Sequence, residues 1–302
     1  MRYIMQAALL SDRGIVRVSG ADVRRFLNGL FTADIESMTA TAPRYAALLT
    51  PQGKIVADFI VVQADGDDAG FLLDCERALA GPLVAKLNFY KLRAKVTVES
   101  LAETMGALAL WDADAAPARQ PGAPWFPDPR LGALGWRAIA PPALAAELAA
   151  AQGAALVDEV AYEAHRIALG VPRGGCDFAY GDAFPHEADM DQLNGVAFDK
   201  GCYVGQEVVS RMQHRGNVRN RVVPVRIDGA APAPGTPVVV GDKTVGAVGS
   251  AADGRGLALL RLDRVADAMG AGLSLLAGTA ELHPVKPAWA KFPWPDAAKA
   301  AE

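Results

Sequence analysis

The sequence has only three cysteines, Cys75, Cys176 and Cys202, and they lie far apart. It contains no Cys-x-x-Cys pair and no Cys/His spacing typical of a zinc site. An iron–sulfur cluster usually needs four thiolates, or two thiolates and two histidines, so we expect no resident cluster and assign no metal ligand. An odd, sparse set of cysteines also argues against a disulfide framework and suits a reducing compartment.

Long apolar runs and a strong excess of either charge are also missing. No stretch approaches the roughly 20 apolar residues of a membrane-spanning helix, and the N-terminal apolar segment is too short for a convincing signal peptide. We therefore expect a cytoplasmic protein without a membrane partner. The formal net charge of −4 gives no support to a dominant nucleic-acid-binding role, and no stable nucleic-acid binding is expected.

The residue pattern predicts a mixed α and β protein of two or three domains, since domains average roughly 100–150 residues. Alternating apolar residues predict strands over 45–50 and 55–63, joined as a hairpin by a Pro-Gln-Gly turn. Apolar residues at helical spacing predict helices over 21–30, 76–90, 140–151 and 156–169. Strands and helices alternate irregularly, so an α+β fold fits better than a doubly wound sheet. Short strand candidates after Arg221 predict a small barrel.

The most specific stretch is Lys200–Glu207, which reads Lys-Gly-Cys-Tyr-Val-Gly-Gln-Glu. Its cysteine, Cys202, follows Lys200 closely and precedes a helical pattern that begins at Gln206. A helix N-terminus and a nearby lysine both lower a thiol pKa, which indicates a reactive thiol. The alternative is a buried structural cysteine, because free cysteines are often buried.

This octapeptide resembles the signature of the YgfZ family, the folate-binding proteins of iron–sulfur cluster biogenesis, which are related to the glycine-cleavage T-protein. The resemblance covers most of residues 15–225, through the further segments 20–34, 45–58, 90–96, 166–172 and 184–187. It implies a T-protein-like α+β fold with two interlocked N-terminal domains and a C-terminal β-barrel. The implied boundaries are 1–220, divided into 1–45 with 150–220 and 46–149, followed by 221–302.

The resemblance also implies a function. The protein would be a tetrahydrofolate-binding accessory factor, or one that binds a one-carbon-substituted folate, and it would support assembly or repair of iron–sulfur clusters in target enzymes. Cys202 would be the reactive group, assisted by Lys200. Expected partners are folate and, transiently, iron–sulfur enzymes or cluster-assembly proteins, and the protein is expected to be a monomer. The implied folate-binding residues are Glu187, Asp58, Arg93, Gln206 and Arg211.

Without the resemblance, two of these residues have simpler interpretations. Glu187 is more often a solvated loop glutamate, and Asp58 a solvent-facing strand residue. The T-protein pattern has an aspartate pair after the hairpin glycine, where this sequence has Ala57 and Asp58. Strand alternation would place the two on opposite faces. The missing aspartate argues against aminomethyl transfer and leaves folate binding possible.

Two other functions remain open, and with them the question of whether the protein is an enzyme. One is a folate-dependent aminomethyl or methyl transferase, which the alanine at position 57 disfavours. The other is an accessory factor for tRNA modification, which requires a basic, aromatic-rich face. The arginines between 211 and 226 supply the basic half without interleaved aromatic residues. A solvated arginine face is the commoner explanation for such a run.

Overall fold

The structure is a computed structural model that describes residues 4–64, 70–113, 115–118, 120, 123–216 and 218–294. The chain forms two compact units. The N-terminal unit comprises Met1–Tyr162 and Leu193–Gln206, and the C-terminal unit comprises Glu163–Gln192 and Glu207–Glu302. The finer boundaries expected from the sequence stay a prediction.

The described part of the N-terminal unit contains two five-stranded sheets and the helices that cover them. The helices are α1 (Val23–Asn28), α2 (Arg77–Lys91) and α3 (Ala145–Ala151), with 3-10 turns at Gly132–Leu134 and Pro142–Leu144. The strands are β1 (Gln6–Leu10), β2 (Arg13–Ser19), β3 (Arg44–Leu49), β4 (Ile55–Gln63), β5 (Phe71–Glu76), β6 (Thr97–Ser100), β7 (Gly106–Trp111), β8 (Trp125–Pro127), β9 (Trp136–Ala140) and β10 (Ala155–Leu156).

The two sheets pack face to face. One has the antiparallel order β3-β4-β5-β2-β6, and the other has the order β10-β1-β7-β9-β8, in which only the β10–β1 pair is parallel. Successive side chains of strand β4 point to opposite faces of its sheet, so the strand contributes to the packing on both faces. Phe59 packs beneath Leu27 of α1 and Leu83 of α2, whereas Ile60 contacts Ile139 of the second sheet. The predicted α+β texture and hairpin are confirmed.

The C-terminal unit contains a closed barrel with the strand order β11-β14-β13-β12-β15-β16. Helices α4 (Glu159–Leu169) and α5 (Gln206–Arg215) begin at the boundary with the N-terminal unit. Trp289 Nε1 donates to the carbonyl of Leu169 at 2.9 Å, so the tail docks as predicted, while residues 295–302 lie outside the described residues. The remaining elements are β11 (Asn220–Asp228), β12 (Pro237–Val240), β13 (Lys243–Ala252), β14 (Arg255–Arg261), α6 (Leu262–Gly270), β15 (Leu275–Ala277) and β16 (Ala280–Pro284).

Two regions differ from the sequence-based prediction. The helix predicted over 140–151 begins only at Ala145, because Ala140 ends strand β9 and Pro141 disfavours a helical conformation in the residue before it. Helix α6 was missed, although Leu262, Val265 and Ala268 are buried at helical spacing. Its nine residues lie among short strands, where the turn residues favour a strand interpretation.

A network of buried charges lies between the two sheets. Arg137 of β9 donates to Asp74 of β5 at 2.7 Å and to Asp128 at 2.8 Å. Arg13 donates to the second oxygen of Asp74 at 2.6 Å, and Arg130 donates to both oxygens of Asp128 at 2.9 and 2.7 Å. One guanidinium therefore connects the two sheets through ion pairs that are largely shielded from water.

The network makes the stability of the fold depend on pH. Burial raises the pKa of Asp74 and Asp128, but the neighbouring guanidinium groups outweigh burial, so both pKa values lie below 3.8. A carboxyl group whose pKa is lower in the folded protein stabilises the fold above the unfolded pKa. This contribution is fully present above about pH 5 and is lost as the pH falls through the unfolded and then the folded pKa.

We predict that Arg137→Leu lowers the free energy of unfolding by about 3–5 kcal/mol at neutral pH, because two buried carboxylates lose a shared cation. Arg264→Leu is the control, since Arg264 forms an exposed pair with Asp267 at 3.4 Å and should cost at most about 1 kcal/mol. Urea unfolding measures both variants. The Arg137→Leu deficit should shrink toward pH 4, where protonation begins to remove the charge of the two carboxylates that have lost one of their guanidinium partners. A deficit below about 1 kcal/mol at pH 7 would contradict the role assigned to the network.

Candidate functional site

The signature octapeptide is fastened to the N-terminal unit by its first residue. Lys200 Nζ donates to the carbonyl oxygens of Asn28 at 2.7 Å, Phe31 at 2.8 Å and Ala33 at 2.7 Å. Asn28 is the last residue of α1, and the final carbonyls of a helix need partners from outside it. The three acceptors use all three ammonium hydrogens. Lys200 therefore holds the octapeptide against residues 28–33.

The surroundings of Lys200 favour this structural task. Burial lowers the pKa of Lys200 from 10.5 to about 8, and the carboxylates of Asp34 and Glu36 act in the opposite direction. The ammonium also lies 5.1 Å from the centroid of the buried Tyr203 ring, a cation–π distance. Three carbonyl oxygens and the Tyr203 ring thus engage the Lys200 ammonium, and the role of Lys200 in assisting Cys202 stays a prediction.

A tight turn packs the octapeptide against the β3–β4 hairpin. Gly205 has a φ of +83°, and a Cβ at this position would lie 2.6 Å from the carbonyl oxygen of Thr50 and 3.2 Å from Gly53 Cα. Only glycine permits both the backbone conformation and this approach. Two of the segments that carry the family resemblance, 45–58 and 200–207, therefore meet in the fold.

Gln206 closes this turn and begins α5. Its backbone N–H donates to the carbonyl of Tyr203 at 3.2 Å, and its Oε1 accepts from the backbone N–H of Tyr203 at 3.3 Å. Its predicted role in folate binding is untested, and its observed contacts order the residues that follow Cys202.

Cys202 is the exposed member of the three cysteines. Cys75 is buried with its Sγ donating to the carbonyl of Gly14 at 3.4 Å, and burial raises its pKa to about 12. Cys176 is half-buried, and burial together with Asp177 raises its pKa. Because α5 begins only at Gln206 and the helix dipole acts mainly within its first turn, solvent access distinguishes the Cys202 thiol more clearly than a helix terminus does.

The side chains of Asp58 and Ala57 point to opposite faces of β4, as strand alternation predicts. Ala57 joins the core beneath α1 and α2, whereas the Asp58 carboxylate accepts a hydrogen bond from the Tyr45 hydroxyl at 2.9 Å. Asp58 is 6% exposed, so its interpretation as a solvent-facing residue is wrong. Burial and the Asp58 charge raise the pKa of Tyr45 well above 10, which keeps the hydroxyl protonated as a donor.

A cavity of about 560 Å³ opens in the N-terminal unit beside Tyr45. Its size falls within the roughly 300–1,000 Å³ typical of small-molecule sites. The Ser37 hydroxyl, 2.5 Å from Asp34, lowers the pKa of that carboxyl group and keeps it ionised at the cavity wall. The cavity is lined by Ala33, Asp34, Thr41, Ala42, Pro43, Arg44, Tyr45, Pro127, Pro129, Asn194, Val196 and Ala197.

The polar residues of this cavity were not predicted from the sequence. Asp34, Arg44 and Tyr45 border the segments that resemble the family, but nothing in their local pattern separates a cavity wall from a surface loop. Asn194 has a φ of +60° and donates to the carbonyl of Pro129 at 3.0 Å. An asparagine before a glycine is a turn signal, and it was the available hint that this loop has a defined shape.

Glu187 lies in the C-terminal unit, where both of its carboxylate oxygens have protein donors. Oε2 accepts from the backbone N–H of Phe184 at 2.9 Å, and Oε1 accepts from Asn220 Nδ2 at 3.0 Å. It is half-buried, so the solvated-loop interpretation is wrong. Each oxygen can accept a further hydrogen bond, and a contact between Glu187 and a pterin stays a prediction.

The arginines expected near folate are on the surface. Arg93 is exposed after α2, and Arg211 forms an exposed pair with Glu207 at 2.6 Å. The arginine run is not one solvated face, because Arg221 is buried and pairs with Asp189 at 2.7 Å and Asp191 at 2.9 Å. Within the described ranges, no three His, Cys, Asp or Glu side chains are grouped to hold a metal ion, and the expectation of no metal stays a prediction.

Comparisons with known proteins identify the architecture. A family model described as the GCVT N-terminal domain matches residues 9–119, and one described as the CAF17 C-terminal beta-barrel domain matches residues 219–292. The glycine cleavage system aminomethyltransferase T from Bartonella henselae superposes with a TM-score of 0.76, covering 97% of this chain and 88% of that chain at 16% identity. Identity this low shows the fold alone. The predicted T-protein-like fold with a C-terminal barrel is confirmed.

Curated relatives define the family. The mitochondrial iron–sulfur cluster assembly factor IBA57 of Homo sapiens is 34% identical to the chain, and the match covers 85% of this chain and 77% of the human protein. The Mus musculus protein of the same name is also 34% identical, and the match covers 96% of this chain and 86% of the mouse protein. A homologue from Mycosarcoma maydis is 35% identical over 72% of the chain, which spans only 56% of that protein. The chain belongs to the CAF17/IBA57 family. The YgfZ resemblance is confirmed at the level of this wider family.

The comparisons correct the expected location. The relatives from Homo sapiens, Mus musculus and Mycosarcoma maydis are named as mitochondrial proteins, which contradicts the cytoplasmic expectation. That expectation depended on missing signals, and a missing signal does not define a compartment. Among the described residues, no helix has the length and apolar character needed to cross a membrane.

We predict that Gly205→Ala destabilises the protein by at least about 2 kcal/mol, because alanine is strained at this φ and its Cβ would collide with the Thr50 carbonyl. Gly201→Ala is a control within the same octapeptide. A Cβ at Gly201 meets no atom within 4 Å, so this change should stay within about 0.5 kcal/mol. Denaturant unfolding compares the two variants, and equal stabilities would contradict the packing of the octapeptide on the hairpin.

Proposed function

We propose that the protein supports assembly or repair of iron–sulfur clusters in target enzymes, with the Cys202 thiol as its reacting group. The names of the curated relatives support the cluster-assembly role. The observation that carries the proposal is an exposed cysteine on a segment held by Lys200 on one side and Gly205 on the other. A thiolate is a metal ligand and a nucleophile, and a firm backbone limits the positions that it can occupy.

The number of cysteines favours a cluster whose ligands come partly from another protein. A cluster usually needs four thiolates, or two with two histidines, and Cys202 is the exposed member of the three cysteines. The chain would therefore hold a cluster only transiently, together with ligands from an iron–sulfur enzyme or a cluster-assembly protein. Transient binding of this kind is what we expect of a factor that acts on other proteins.

Tetrahydrofolate, or a one-carbon-substituted form, is the proposed small-molecule ligand. An ionised carboxylate such as Asp34 or Glu187 can accept two hydrogen bonds from the N–C–N edge of a pterin. An arginine such as Arg44 can pair with the carboxylates of a folate tail. When bound, folate supplies one-carbon chemistry. A one-carbon transferase is less well supported, because Ala57 is a core residue and the Asp58 carboxylate is hydrogen-bonded to Tyr45.

We predict that Cys202→Ser abolishes function in a strain lacking its endogenous counterpart, with iron–sulfur enzyme activity falling at least about tenfold because the exposed thiolate is lost. Cys176→Ser and Cys75→Ala are the controls and should restore activity. Alkylation of the wild-type protein should modify one thiol quickly, and Cys202→Ser should remove that phase. Full complementation by Cys202→Ser would eliminate the thiol from the mechanism.

We predict that reduced folate binds and raises the melting temperature by mass action. Glu187→Gln should weaken binding by about 10- to 100-fold, because it removes a charged acceptor while keeping the shape of the side chain. Glu99→Gln, at an exposed pair with Arg17, is the control. Isothermal titration of tetrahydrofolate against the three proteins is the measurement. Absence of binding heat in the wild-type protein would remove folate from the proposal without affecting the thiol.

A further inference from the structure

The end of α2 exposes large apolar side chains. The helix buries Ala80, Leu83 and Leu87 against its sheet. Phe89, on the other side of the helix, is 72% exposed, and Leu92, just after the helix, is 87% exposed. Their exposure is greater than that of most other large apolar residues in the described chain, and they lie three positions apart. We name Phe89 and Leu92, with the lysines Lys86 and Lys91, the α2 terminal patch.

The backbone at Leu92 makes this exposure costly. Leu92 has φ 44° and ψ −104°, a left-handed conformation that bulky residues rarely adopt and that glycine adopts without strain. Its side chain is almost fully in water, so contacts within the chain do little to offset the strain. Strained residues are concentrated at functional positions. A strained leucine that points into solvent indicates a contact outside the chain.

The patch is surrounded by positive charge. Residues 77–98 contain five basic residues and no acidic residue, in a chain whose net charge is −4. Lys86 Nζ lies 5.9 Å from the Phe89 ring centroid and 5.6 Å from that of Tyr90. The nearby Asp22 carboxylate accepts a hydrogen bond from the Lys95 backbone N–H at 2.7 Å. The other neighbouring acid, Glu99, pairs with Arg17 at 3.4 Å, and the surface stays positive.

A small cavity is lined in part by Ala94, which follows Leu92 by two residues in the sequence. It measures about 340 Å³ and is lined by Asp22, Arg25, Phe26 and Ala94. Phe26 and Ala94 supply an apolar floor that continues into the core of the sheet, and Arg25 adds a cation at the rim. Such a cavity accepts one apolar side chain beside the α2 terminal patch.

We propose that the α2 terminal patch is a docking surface for an acidic segment of a partner protein that carries an apolar side chain. Apolar anchors within a polar, charged rim are the usual anatomy of a protein–protein interface, and the positive rim selects an acidic partner. A single-stranded nucleic acid requires several exposed rings for stacking, and this patch exposes one, Phe89. A membrane surface requires a free amphipathic helix, whereas α2 already buries its apolar face.

This surface is independent of the proposed cluster chemistry, because it includes neither Cys202 nor any residue that holds the octapeptide. The probe is a fluorescein-labelled peptide of glutamates with one phenylalanine and one leucine. Fluorescence anisotropy should show saturable binding to the full chain that weakens between about 50 and 300 mM salt. The same peptide with serine at both apolar positions should bind at least about tenfold more weakly.

Two variants distinguish docking from a structural role. Leu92→Gly should weaken peptide binding at least about tenfold while raising the melting temperature by about 2 °C, because glycine removes the backbone strain. Lys86→Glu with Lys91→Glu should weaken binding at least about tenfold through charge alone. Val160→Ser is the control, since Val160 is 67% exposed next to Asp158 and Glu159, and it should leave binding unchanged.

Several outcomes would overturn the proposal. They are the lack of saturable binding up to about 1 mM peptide, equal binding by wild type and Leu92→Gly, or a loss that follows a fall in melting temperature. Anionic phospholipid vesicles, a single-stranded oligonucleotide and self-association in sedimentation are measured in parallel. If one of these depends on Phe89 and Leu92 and the peptide does not, the acidic protein segment is the wrong occupant.

Discussion

Arg137 places a positive charge between the two sheets of the N-terminal unit, and its ion pairs join a carboxylate of one sheet to a carboxylate directly after a strand of the other. Its guanidinium donates to Asp128, to Asp74 and to the Tyr162 hydroxyl, the last at 3.1 Å. Taking these ions out of water costs several kcal/mol each, so the arrangement is stable only when most donors have acceptors. A shift of one sheet against the other would break several bonds together. The network therefore favours one register between the sheets.

The same constraint extends to the candidate cavity. Arg130, which shares Asp128 with Arg137, lies 5.9 Å from the centroid of the Tyr45 ring. Tyr45 lines the cavity and donates to Asp58. The position of one cavity wall is thus connected to the buried ion pairs by side-chain contacts. A cavity wall that is already held in place loses little conformational entropy when a ligand binds. Such a preorganised cavity suits a small molecule better than a flexible surface would.

The parts of the fold that could be predicted from sequence are those set by local chemistry. The 45–63 hairpin follows from its Pro-Gln-Gly turn, and the octapeptide is recognisable from eight adjacent residues. The buried network could not be predicted this way, because Arg137 and Asp74 are 63 residues apart and each reads as a surface charge. The hydrogen-bond partners of Asp58 and Glu187 could not be predicted from local pattern either, because Tyr45 lies on the facing strand of the hairpin and Asn220 lies 33 residues after Glu187. The cavity residue Asn194 likewise acquires its place only through the tertiary contact with Pro129.

Gly205 and Leu92 show two responses to the same backbone requirement. Both positions have a positive φ, which costs an L-residue free energy. At Gly205 the Thr50 carbonyl lies where a Cβ would be, so glycine is required by the packing of the chain itself. At Leu92 the side chain makes no buried contact that would offset the backbone strain, so interactions within the chain favour glycine. Docking of a partner at the α2 terminal patch would give leucine a benefit at this position that contacts within the chain do not supply. The N-terminal unit thus presents two exposed features on firm supports, a thiol suited to chemistry and an apolar patch suited to recognition.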